Sequence, residues 1–355
     1  MSKSLTDLQH TNLGISKEQL EYAKRFEDIT SKGYWATRTE LSPDFEEEVR
    51  RRVFGLRTHW ESAAGFGGYL IGHEDYARSY HAALSKTVGV LQQEDSLRPA
   101  FTVGNLDSYQ KVGDFLDAFF VEGSDVANIF QHEHYVFRQE VPQFGSGLQN
   151  QLSDLASSYG RVARKLQSRN GRWHAIVQVH GESREGLGLS GPYYRKPSVA
   201  EVRVQVGLAL ARGAAGIIYF LYSSGVERVL DSDGQLIQER VYDGLVSEEG
   251  DATGSFSAVS RINQQLQTLS PHLASLHFHG GYGAARLPAN ELIAGTAGDL
   301  DIGLFGNGSR LSHALVVNVR TDQPQKVVLA LHVDYALDVL SGTILDVRED
   351  QLSLD

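Results

Sequence analysis

Three short runs place ionisable side chains where a buried strand would end. The first is Tyr69-Leu70-Ile71-Gly72-His73-Glu74-Asp75, an apolar strand that passes directly into a histidine and two carboxylates. The second, Val126-Ala127-Asn128-Ile129-Phe130, leads to His132-Glu133-His134-Tyr135, and the third, Ile176-Val177-Gln178-Val179, leads into His180-Gly181-Glu182. Charge is costly beside a buried strand, and in parallel α/β barrels the strand C-termini are where chemistry gathers. A pair of carboxyls there can hydrolyse an acetal: one protonates the leaving oxygen, the other attacks or activates water. Glu74 is the leading candidate for one carboxyl, and Glu182 and Glu133 are the candidates for the other.

The histidines admit a second chemistry. His132 and His134 alternate on one strand and would share a face, a spacing that can bind a divalent metal with help from His73, Glu74, Asp75 or His180. Imidazoles at strand ends also bond sugar hydroxyls, so His73, His134 and His180 are read as substrate-binding and no metal is assigned. Aromatic faces stack on the C–H patch of a pyranose, which brings in Trp35, Tyr135, Tyr219, Phe220 and Tyr222, although alternation sends about half of such residues into the sheet–helix layer. Asn105 and Gln178 add amides for hydroxyl binding.

The elements that must carry these residues alternate. Helices are expected from Ser16 and from Ser42-Pro43, then over 76–93, 108–120, 148–167, Ser198 to Arg212, and 255–269. Strands are expected to start at 34, 69, 100, 126, 173 and 216. Ser198-Val199-Ala200-Glu201 has capping-box spacing and Gly213 is placed to end that helix. Such alternation argues for a parallel sheet with helices on its faces. Residues 181–197 read as a Gly- and Ser-rich loop. From about 276 short β-type runs separated by turn residues predict a small antiparallel domain, giving units 1–275 and 276–355. Gly280-Gly281-Tyr282-Gly283 reads as a linker and Asn307-Gly308-Ser309 as a turn.

Composition narrows the partners. The 355 residues carry a net charge of −11, with 41% hydrophobic and 22% charged residues, which disfavours nucleic acid. There is no cysteine, so disulfides and thiolate chemistry are excluded. No run approaches a membrane span, and the N-terminal residues lack the apolar core of a signal peptide. A cytoplasmic location is the default expectation, with secretion open if the N-terminus is trimmed.

The series GYLIGHEDYA, LRPAFTVGN, DVANIFQHEHY, WHAIVQVHG and YRKPSVAEVRVQVGLALARGAAGIIYFLY resembles bacterial clan A (β/α)8-barrel glycoside hydrolases, including relatives of family 42 β-galactosidases. Glu201, Ala209-Leu210-Ala211, Gly213-Ala214 and Gly216-Ile217 carry the more specific part of the likeness. The resemblance implies a TIM-type (β/α) barrel with a C-terminal antiparallel β-sandwich, trimmed at both ends. It makes Tyr69–Glu74 strand four, with Glu74 as acid/base, and 173–182 strand seven, which supplies the nucleophile. His73 and Asp75 stand where relatives carry Asn or Asp and Pro. Six visible strands where a closed barrel has eight would leave sheet edges, which invites homo-oligomers. The expected function is O-glycoside cleavage without a cofactor on oligo- or polysaccharide. The alternatives are a non-catalytic carbohydrate-binding or scaffold protein on a degenerate barrel and, third, a metal-dependent hydrolase.

Overall fold

The computed structural model describes residues 41, 43–60, 66–73, 81–108, 112–120, 128–141, 145–169, 171–186, 188–321, 325, 327–333, 335–347 and 351–354. The helix expected from Ser16 and the strand from 34, which holds Trp35, lie outside the described residues, as does Glu74. The chain forms two compact units, one of residues 1–133 and 165–173, the other of 134–164 and 174–355.

In the first unit α1 (Phe45–Trp60) buries Phe45, Val49, Val53 and Leu56, an i, i+4 stripe, and turns its acidic and basic residues outward. Strand β1 (Tyr69–His73) follows, then α2 (His81–Glu94), β2 (Ala100–Gly104), α3 (Val112–Phe119) and β3 (Ile129–Glu133). The strands are parallel, with Tyr69 opposite Ala100 and Phe101 opposite Ile129. A helix between successive parallel strands is the required crossover. On β3 the buried residues are Phe130 and His132, so the alternation puts an imidazole among the core rings.

Helix α4 (Ser146–Gln167) precedes β4 (Arg172–Gln178). In the second unit β4 pairs in parallel with β7 (Gly216–Phe220), His174 opposite Gly216 and Gln178 opposite Phe220. Between them stand β5 (Gly181–Gly186), β6 (Leu189–Tyr194) and α5 (Val199–Ala211). β8 (Gly225–Leu230) and β9 (Leu236–Asp243) come next and join the first two strands in an antiparallel sheet of order β6-β5-β9-β8. The 181–197 segment is therefore a hairpin, correcting the loop reading. Its turn uses Gly186 and Gly188 at φ +98° and +75°, and Gly191 within β6 stands at +101°, values that side-chain-bearing residues rarely adopt.

Helix α5 is built as its sequence predicts. Glu201 N–H donates to Ser198 Oγ (3.2 Å) and Ser198 N–H donates to Glu201 Oε2 (2.7 Å), a reciprocal capping box. Glu201 is fully buried and is held by both guanidinium nitrogens of Arg195 at 2.8 and 2.6 Å. Arg212 is the last half-turn, and Gly213 follows at φ +80°.

Helix α6 (Gly254–Ala274) continues through Pro271 past the expected end. From His277 the strands turn antiparallel: β10 (His277–Gly283), β11 (Ile293–Ala297), β12 (Leu300–Asn307), β13 (Arg310–Asn318), β14 (Val327–Leu331), β15 (Tyr335–Asp338), β16 (Thr343–Asp346) and β17 (Gln351–Leu354). They form sheets β10-β12-β13, β11-β14-β17 and β15-β16. Ile293, Leu300, Ile302, Leu304, Val327, Leu329 and Leu331, from both three-stranded sheets, share one core. The expected linker 280–283 is instead part of β10, with Gly280 opposite Leu304 and Tyr282 opposite Ile302. Glycines here and on the neighbouring β12 are steric: a Cβ on Gly281 would lie 2.2 Å from the Ala211 carbonyl oxygen, and one on Gly303 of β12 2.7 Å from that same atom. Asn307-Gly308-Ser309 joins β12 to β13, Gly308 at φ +57°, as its turn chemistry predicts.

Candidate functional site

At the C-terminal ends of β4 and β7 the second unit gathers His180 and four aromatic rings. Ring centroids of Phe220, Tyr135, Tyr194 and Tyr242 lie 5.1, 5.3, 5.7 and 6.0 Å from the imidazole. Phe220 also stacks on Tyr135 at 5.7 Å. The Phe220–Leu221 peptide is cis.

His180 is 1% exposed. Its Nδ1 lies 2.9 Å from the Phe220 carbonyl oxygen, and since a carbonyl only accepts, Nδ1 carries the proton. Nε2 is then the lone-pair nitrogen. Burial lowers the pKa below the ordinary histidine value, while the Phe220 bond and the Glu182 carboxylate pull it up; burial prevails, so the ring is neutral near pH 7.

Glu182 opens β5 opposite Tyr194 on one neighbour and Tyr242 on the other. Its side chain is buried against Arg184, two residues along on the same face, with Arg184 Nε donating to Glu182 Oε1. The Arg184 guanidinium stands 3.6 Å over the Tyr193 ring. Tyr242 donates to Glu227 Oε2 (3.1 Å). Its own pKa is pushed up to about 12, first by burial and then by Glu182 and Glu227, so the phenol stays a proton donor. Burial likewise raises Tyr194.

Gln178 supports this cluster from beneath. It is fully buried, and its amide accepts from Phe137 N–H (3.1 Å) and donates to the carbonyls of Phe137 (3.3 Å), Arg195 (3.2 Å) and His180 (3.4 Å). An amide spent on backbone in this way fixes the loop carrying Tyr135 and has little left for a ligand.

The remaining expected site residues are spread more widely. His134 Nε2 meets Asp154 Oδ2 at 3.0 Å, on α4. Tyr219 points away from the cluster into the helix layer, donating to Asn263 Oδ1 (2.8 Å) on α6, and burial raises its pKa to about 12. Strand alternation thus assigns Phe220, not Tyr219, to the site side. Tyr222 is 58% exposed just beyond β7. In the first unit, Asn105 follows β2 and its Oδ1 accepts from Asp107 N–H (3.0 Å), an Asx turn. His73 and Glu133 end β1 and β3. His132 is fully buried, its ring 6.2 Å from Phe130 and 6.3 Å from Trp173. Among the described residues no group of three potential ligands converges for a metal.

Tyr193, Tyr194, Tyr242, Arg184 and Arg138 escaped the sequence reading. The Tyr193-Tyr194 doublet, two large aromatics closing a Gly-rich run, was the one local signal for them.

No family model and no curated protein matches this chain. Among solved structures it is similar to a Bacteroides thetaiotaomicron protein described as an α-L-fucosidase (10% identity, TM-score 0.35, 50% of this chain and 55% of that one). It is also similar to a Ruminococcus gnavus β-glucuronidase (10%, 0.40, 67% and 38%). A third is endo-glycoceramidase II from a Rhodococcus species (11%, 0.35, 99% and 71%). The chain thus spans 55% and 38% of the first two. All three are glycoside hydrolases, and likeness at this level does not assign an activity. Among the described residues no helix is long and apolar enough to cross a membrane.

Proposed function

We propose that this chain is a glycoside hydrolase that cleaves O-glycosidic bonds with two carboxyl groups. The observation that carries the reading is the meeting of a buried carboxylate, Glu182, with a neutral histidine and an aromatic wall at the ends of parallel strands β4 and β7. Aromatic faces suit a sugar ring, His180 Nε2 suits a hydroxyl, and a carboxylate oriented by a guanidinium is the kind of group that serves as nucleophile or base. Glu74 is the proposed acid/base, on its place in the sequence motif, and Glu133 the alternative to Glu182. The architecture behind this is an incomplete clan A-type barrel, followed from about residue 276 by a small β-sandwich. No cofactor takes part.

The test is hydrolysis of a panel of nitrophenyl glycosides by wild type, Glu182→Gln and Glu74→Gln. Loss of turnover by about 10²–10⁴-fold in both variants supports the reading. A well-folded wild type that cleaves none of them refutes it. The engagement of Glu182 by Arg184 favours a second reading, a non-catalytic carbohydrate-binding protein, in which Glu182→Gln leaves sugar binding intact.

A further inference from the structure

Most polar groups around the His180 cluster are already satisfied by the protein. Glu182 is held by Arg184; Arg240 donates to Gln238 (2.9 Å) and faces Glu227 at 3.4 Å; Lys196 pairs with Asp243 at 2.7 Å; Arg195 pairs with Glu201. Two groups remain. His180 Nε2, the lone-pair nitrogen, has no hydrogen-bond partner among the described residues. The Arg138 guanidinium has no ion pair or hydrogen bond among them, and lies 5.9 Å from the Tyr193 ring. Glu140, two residues on, does not pair with it.

Arg138 is not a loose surface arginine at its base. Its backbone bridges Tyr194, its N–H donates to the Val136 carbonyl (3.0 Å) and its carbonyl accepts from Val141 N–H (3.0 Å). Its charge reaches the cluster, since it lowers the pKa of Tyr194 against the larger effect of burial. In a chain of net charge −11, an unneutralised cation at the rim of an otherwise neutralised cluster is a local reversal of sign. From His180 the aromatic surface continues through Tyr194 at 5.7 Å to Tyr193 a further 4.7 Å on, and Arg138 stands beyond.

We propose that the ligand is an acidic oligosaccharide. One sugar stacks in the aromatic cluster and donates a hydroxyl to His180 Nε2, and the carboxylate or sulfate of a neighbouring unit takes the Arg138 guanidinium. A planar fork with five N–H donors matches either anion. The inference rests on the carbohydrate reading above and adds the charge of the substrate.

The experiment screens the full chain on a glycan array of matched neutral, uronate-bearing and sulfated oligosaccharides, then measures the best matched pair by calorimetry for wild type, Arg138→Met and Arg138→Lys. The expected result is an acidic member bound roughly 10-fold or more tighter than its neutral match, the worth of one charge-assisted bond. Arg138→Met should erase that preference and leave neutral affinity unchanged, with Arg138→Lys between. The uronate and sulfate arms identify the anion. Neutral sugars bound as well as acidic ones, or Arg138→Met weakening both equally, would overturn the proposal and leave the carbohydrate reading standing. Binding to no sugar at all would overturn both.

Discussion

Gln205 sits in the middle of α5, fully buried, and acts toward β4 as a neighbouring strand would. Its Oε1 accepts from Gln178 N–H (3.1 Å) and its Nε2 donates to the Gln178 carbonyl (3.0 Å). Gln205→Leu keeps the approximate volume and removes both bonds, leaving an N–H and a carbonyl at the end of β4 without water. Each orphaned backbone group costs about 1–3 kcal/mol, so the variant should lose about 2–6 kcal/mol. That is a large share of the 5–15 kcal/mol typical of a folded protein. The assay is equilibrium urea unfolding followed by circular dichroism, with hydrogen exchange at the Gln178 amide as the local readout. Exchange should accelerate there more than in the C-terminal sheets. A loss below about 1 kcal/mol, or unchanged protection at Gln178, would refute the view that this side chain completes the strand.

Other outcomes follow from the same packing. A Cβ on Gly207 would lie 2.8 Å from Val317 Cγ1, so Gly207→Ala should destabilise by about 1–3 kcal/mol, and Val317→Ala should suppress that penalty in a double-mutant cycle of melting curves. Asp301, buried and paired with Arg212, has its pKa raised from 3.8 to about 6 because burial outweighs the guanidinium. The folded state therefore takes up this proton first, and stability from it grows as pH falls from about 6 toward 3.8 and is lost above 6; Asp301→Asn should flatten that part of the pH–stability curve. His180 behaves oppositely. Its folded pKa lies below 6.5, so its contribution is full above 6.5 and is lost as pH falls, and His180→Gln should make the acid-side decline of the urea midpoint shallower.

Much of the helix–strand order was legible because local chemistry and burial agree there. Ser198 and Glu201 cap α5 as their spacing demands, and the β-branched run 216–220 forms β7. The antiparallel sheet β6-β5-β9-β8 was not legible. Its strands carry Glu182, Arg184, Arg240 and Glu227 on one face, so charged residues stand where the apolar alternation that usually marks a strand would be. The site was half legible for a related reason. His180 and Tyr135 stand at strand ends, where position alone points to them. Tyr194 and Tyr242 arrive from strands that pair across long stretches of sequence, and no local pattern foretells that meeting. Gln178 shows the converse: an amide at a strand end looks like a ligand group until its backbone partners are counted.

Helix α5 buries residues on every side, and its C-terminal half lies against β10, β12 and β13 through contacts that only glycines permit at 281 and 303. The antiparallel strands after residue 276 are thus the second wall of this helix, and the absent side chains are part of the fit. Modules that evolution shuffles usually meet their neighbours through tolerant surfaces. Here a recombination that exchanged the C-terminal strands would have to deliver a sheet with bare backbone at the same two points. An exchange that ignored those two points would set a Cβ against the Ala211 backbone, so this helix and these strands constrain one another's sequences.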